Sequence, residues 1–105
     1  MMTISDSVIC RKAVETFGVD MQQIVAMEEL GELIQAISKI ARWECSQSED
    51  LETLFKYIDN LSEEIADVEI ILEQLKQCHG CHIQVNDHKR KKLDKLKSMV
   101  EGVRV

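Results

Sequence analysis

The sequence predicts an all-α protein, a bundle of four or five helices with no strand. Three observations carry that expectation. The chain has no proline and only four glycines in 105 residues, so the common breakers of regular structure are scarce. Its aromatic residues are one Trp, one Tyr and two Phe, too few to favour a β-sheet. Apolar residues recur at three- and four-residue intervals, as in Val25, Ala26, Leu33, Ala36, Ile37 and Ile40. With 45% hydrophobic and 30% charged residues, the composition is that of a folded chain and not a disordered one. The length sets a single domain, residues 1–105, small enough to gain from oligomerisation.

Thr3 and Asp6 have capping-box spacing, which starts a first helix over about 4–16, and Gly18 can close it. Asp20, with Gln23 three residues on, is expected to cap a second helix that runs to about Trp43. The stretch ECSQSED has no apolar periodicity and reads as a loop, with Ser48 as a cap for the next helix. That helix is expected over 49–57. Asp59 and Asn60 then interrupt it, and Asn60–Glu63 restart a helix that reaches Gln77. A last helix covers about 84–101.

Charge and targeting signals narrow the function classes. The net charge of −6 repels a nucleic acid polymer. The N-terminal MMTISDSVICRKAVETFG has no basic n-region and no continuous apolar core, so no signal peptide is expected, and no apolar run is long enough to span a membrane. A cytoplasmic location and reduced thiols at Cys10, Cys45, Cys78 and Cys81 are therefore expected.

The placement of the acids is unusual. Glu29 and Glu32 in MEELGEL are i and i+3, and Glu64 and Asp67 in SEEIADV repeat that spacing, so each pair shares a helix face. Glu29 lies on the line Val25–Glu29–Leu33, and Glu64 on Leu61–Glu64–Val68–Ile71. These acids interrupt apolar stripes. An inward carboxylate is unfavourable unless it is paired. Two of them ~4–5 Å apart repel by roughly 3–4 kcal/mol at an effective dielectric near 20. A hard divalent ion relieves this most simply, and Mg²⁺ takes oxygen ligands while bridging carboxylates to phosphate. Acid pairs on solvated helices are common. Two pairs in line with apolar positions, on consecutive long helices, favour a site. Glu28 can join it at the edge, while Glu63 reads as a helix N-terminal charge. Downstream, Lys89, Arg90, Lys91, Lys92, Lys95 and Lys97 hold six of the thirteen basic residues. A charge run is ordinarily a solvated face. Here Lys89 and Lys92 fill the gap in the apolar line Val85, Leu93, Leu96 and Val100, so they are expected to turn toward the core side and meet phosphate oxygens.

At these residues the chain resembles the MazG-like all-α nucleoside triphosphate pyrophosphohydrolases. Their ExxE and ExxD motifs match Glu29–Glu32 and Glu64–Asp67, in EELGEL and EEIADV, and the resemblance covers about residues 20–97. It implies a bundle completed by oligomerisation, as a homodimer or homotetramer. It implies that the four acids are catalytic and bind Mg²⁺, with Mn²⁺ as a substitute. It implies a nucleoside triphosphate substrate cleaved between the α and β phosphates to a monophosphate and pyrophosphate, with Lys89 and Lys92 on the phosphates. Two features depart from the family pattern. The segment between Glu32 and Glu64 is longer than usual, and KLDKL places Leu96 where members often carry asparagine. The alternative is a non-catalytic helical oligomer of the same fold with a binding or regulatory role.

The motif QCHGCH, residues 77–82, has the spacing of a c-type haem attachment and of half a zinc site. Haem attachment needs export, and one CxxC lacks two zinc ligands. The expected reading is a corner between helices, closed by Gly80. A di-iron bundle needs Glu-x-x-His pairs, and His79, His82 and His88 have no Glu three residues before them. Trp43, Phe55 and Tyr57 can stack on a base, although each is more often a packing residue.

Overall fold

A computed structural model describes residues 2–103. Among these residues there are four helices and no strand: α1 (Ile4–Phe17), α2 (Val19–Cys45), α3 (Leu51–His79) and α4 (His82–Glu101). The expected capping box is present at the start of α1. Thr3 Oγ1 accepts from the Asp6 N–H at 3.1 Å, and the Asp6 carboxylate accepts from the Thr3 N–H at 2.9 Å.

Several boundaries differ from the sequence expectation. α2 starts at Val19 and not at Asp20, because Gly18 takes a positive φ of 86° and turns the chain within one residue. Its N–H donates back to Val14 O and its carbonyl accepts from Gln22 N–H, so it closes α1 and opens α2. Asp20 falls in the first turn, where its charge meets the positive helix end. α3 is one helix of 29 residues, with no break at Asp59 and Asn60. These residues lower helix propensity by only about half a kcal/mol each, and the apolar stripe runs on through them. Ser62 Oγ donates to Ile58 O at 2.8 Å within the unbroken helix. Glu63 therefore lies mid-helix and exposed. The cap of α3 is Asp50 and not Ser48: its carboxylate accepts from Thr53 N–H at 3.2 Å, while Ser48 Oγ accepts from Asp50 N–H one step earlier. Trp43 ties this connection down by donating its indole N–H to Asp50 O at 3.2 Å.

QCHGCH is a corner. α3 ends at His79, Gly80 adopts the left-handed conformation at φ 59°, and the Cys81 N–H reaches back to Lys76 O at 3.2 Å, a Schellman stop. α4 begins at His82.

The antiparallel pair α2 and α3 forms the body of the molecule, α1 packs on both, and α4 touches only α3. The buried apolar residues are Cys10, Ala26, Ala36, Val68 and Ile71. No large side chain is completely buried among the described residues, and Ile34, Ile37, Phe55, Leu93 and Leu96 are all exposed. The accessible surface is 8366 Å², where a compact chain of this size shows about 6,000 Å². The radius of gyration is 17.5 Å, against about 13 Å for a compact domain. The chain thus folds as an open helical frame with a thin core.

Candidate metal centre

α2 and α3 run side by side in opposite directions, so residues ascending one helix meet residues descending the other. Glu29 faces Asp67 and Glu32 faces Glu64 across the two helices. All four acids offer a carboxylate oxygen to one point: these atoms lie within 4.8 Å of one another. The i, i+3 spacing on each helix produces this convergence, because it stacks both acids of a pair on the face turned to the other helix.

Among the described residues no cation compensates them. The ion pairs among the described residues lie elsewhere. Glu29 Oε2 and Glu64 Oε2 are buried without a hydrogen-bond donor. Burial pushes the Glu29 carboxyl above its ordinary value, with Asp67 and Glu32 adding to the rise. Glu64 is raised in the same way, first by burial and then by Glu32, Asp67 and Glu29. Glu28 is exposed at the rim and contributes only weakly to the field at Glu29. An all-oxygen set with two orphaned oxygens has the chemistry of a hard divalent cation site.

Lys89 and Lys92 do not turn inward within the chain. Every residue from 86 to 101 is exposed, because α4 rests on α3 through its first turns and has no other neighbour. Lys89 rims an apolar groove between α3 and α4, with Leu72, Leu75 and Lys76.

A second inward acid, Glu73, carries no signal in the sequence. It is 8% exposed. His82 Nε2 lies 3.0 Å from its Oε1 and Lys76 Nζ 3.4 Å from its Oε2, and Gln77 Nε2 donates to Oε1 at 3.4 Å. Burial pushes the Glu73 carboxyl up, but the contacts with His82 and Lys76 outweigh it and hold the carboxyl below its ordinary value. His82 is nine residues away across a helix break, a distance no periodicity argument links. His79 Nε2 donates to Gln23 Oε1 at 2.8 Å. The two histidines of the corner thus bind neighbouring helices, and the four cysteines are free thiols, with Cys10 buried.

Trp43 and Tyr57 are half-buried and Phe55 is exposed, and the Trp43 bond to Asp50 gives that residue a packing role. Comparison with known proteins brings no match to this chain, whether to a protein-family model, a curated protein or a solved structure.

Proposed function

We propose that this chain is a Mg²⁺-dependent nucleoside triphosphate pyrophosphohydrolase of the MazG-like kind, releasing pyrophosphate and a nucleoside monophosphate. The convergence of Glu29, Glu32, Glu64 and Asp67 within 4.8 Å, with two buried oxygens lacking any donor, carries the reading. These residues would hold the metal. When bound, Mg²⁺ offsets phosphate charge and lowers the pKa of a coordinated water. The chain supplies the rest. α2 and α3 hold the carboxylates in place before substrate arrives, so little reorganisation is needed at the moment of reaction. A carboxylate oxygen left free at the rim, on Glu32 or Glu28, can accept a hydrogen bond from the attacking water and orient it. Both side chains are exposed, as that task requires.

The working unit we propose is a homodimer or homotetramer. The surface excess of about 2,300 Å² per chain over a compact protein falls in the range that obligate interfaces cover. α4 carries the basic run but reaches no acid of the cluster in its own chain. In an oligomer, Lys89 and Lys92 can meet the phosphates held by a neighbour's acids.

The test is phosphate speciation. The protein is incubated with Mg²⁺ and a panel of canonical and modified ribo- and deoxynucleoside triphosphates, beside a Glu64→Gln control. Pyrophosphate plus monophosphate, lost in the control, is the expected result. No cleavage across the panel removes the catalytic reading and leaves a binding or regulatory oligomer.

A further inference from the structure

α4 is a 20-residue arm on a narrow attachment. Within it only His82 and Val85 are not exposed. Val85 lines the apolar groove against α3 with Leu72 and Leu75. His82 makes the one polar side-chain contact that joins α4 to another element among the described residues. Its Nε2 lies 3.0 Å from Glu73 Oε1 and 3.3 Å from Glu73 Oε2. Between the two residues the chain turns at Gly80, with φ 59°. Nothing packs on that turn: no atom lies within 4 Å of the place where a Gly80 side chain would start.

The contact depends on charge at both ends. α4 begins with no side-chain cap and no acid in its first turn. A cation at a helix N-terminus is opposed by the helix dipole, and the Glu73 carboxylate is the anion that offsets it at His82. Burial pushes the Glu73 carboxyl up, but its contacts with His82 and Lys76 outweigh burial and keep the acid ionised over the range in which a histidine changes charge. The carboxylate is not stranded when His82 is neutral. Lys76 Nζ stays 3.4 Å from Oε2, and Gln77 Nε2 donates to Oε1 at 3.4 Å, both from within α3. From α1, the Cys10 thiol feels Glu73 and is raised chiefly by burial, so it remains neutral. α2 reaches the corner with Gln23, an uncharged amide bound to His79 of α3. On α4 the charged or titratable groups nearest in sequence are Asp87, His88 and Lys89, all exposed.

We propose that His82 and Glu73 form a proton-operated latch on α4. With His82 protonated, the ion pair holds the arm against α3. With His82 neutral, only a neutral donor is left and the arm swings about Gly80. A charge-assisted hydrogen bond is roughly twice as strong as a neutral one, so one proton shifts the arm while both helices stay formed. The latch aims or frees the six clustered basic residues of α4. It stands whether or not the acid cluster cleaves a nucleotide.

The experiment measures residual dipolar couplings of the backbone amides of the full chain. Weakly aligned samples are compared at about pH 5.5 and about pH 8, which bracket the ordinary titration of histidine. At the lower pH, α3 and α4 should fit one alignment. At the higher pH the α4 couplings should shrink relative to those of α3, as the released fraction rises roughly tenfold. His82→Gln keeps a neutral donor and should show the released pattern at both pH values. His79→Gln should keep the wild-type response, which separates the two histidines of the corner. The α3 couplings report in every sample that the fold is intact. The proposal is overturned by a wild-type arm that is docked, or free, at both pH values. It is equally overturned by a docked arm in His82→Gln, or by loss of the response in His79→Gln.

Discussion

Glu73 and the Glu29–Glu32–Glu64–Asp67 cluster are two answers to the same electrostatic problem. Both place carboxylates against the interior face of α3, and Glu73 follows Asp67 by less than two turns. At Glu73 the chain supplies His82, Lys76 and Gln77, and the acid is held ionised below its ordinary pKa. At the cluster four acids converge with no basic partner among the described residues, and burial and mutual repulsion raise Glu29 and Glu64. The chain carries thirteen basic residues, so cations are not in short supply. None of those among the described residues pairs with the cluster, so its acids face one another uncompensated.

The largest expected effect separates the two regions by function. Glu64→Gln should lower Mg²⁺-dependent pyrophosphate release by at least about a hundredfold, since even indirect disturbance of a metal site costs 10–100-fold in affinity or activity. Glu73→Gln should lower it far less in the same assay. Comparable losses in both would remove the distinction drawn between them.

Stability should invert that order. Glu73→Gln leaves His82 and Lys76 without their anion and should destabilise the protein by roughly 1–2 kcal/mol in urea unfolding, a modest cost because His82 is 40% exposed and screened. Glu64→Gln removes repulsion and should raise the urea midpoint of the metal-free protein. Metal gives the next effect. Mg²⁺ at ten times its dissociation constant should stabilise wild type by about 1.4 kcal/mol, and a chelator should reverse it. Glu64→Gln should lose most of that response, whereas Glu73→Gln should keep it.

The smallest effect is in the pH dependence of the metal-free protein. Glu73 has a lowered folded pKa, so its contribution is full above the ordinary value of 4.5 and is lost as pH falls through the folded value. Glu29 and Glu64 have raised folded pKa values. Their folded state binds more protons than the unfolded chain, so stability is full below 4.5 and declines as pH rises through the folded values. Thermal unfolding from pH 3 to 7 should therefore show opposite slopes on the two sides of about 4.5. Glu73→Gln should flatten the acid limb and Glu64→Gln the other.

The sequence made some of this legible and hid the rest, for reasons that track range. The Thr3–Asp6 box, the Gly80 stop and the i, i+3 acid pairs are local, and each depends on residues within one or two turns. The continuity of α3 through Asp59 and Asn60 was not readable, because tertiary support for its apolar stripe overrides two weak propensities. Lys89 and Lys92 sit at positions that complete an apolar line, but that line finds no neighbour in its own chain. Glu73–His82 crosses a helix break.

Gly80 decides more than the end of one helix. Residues 51–101 without it would be free to run as a single rod of about 76 Å, well beyond the 47 Å longest dimension of the folded chain. For a residue with a Cβ the left-handed conformation at this point costs about 1–2 kcal/mol, which tips the balance toward that rod. The handedness of one residue thus sets the direction in which the six clustered basic side chains of α4 are presented.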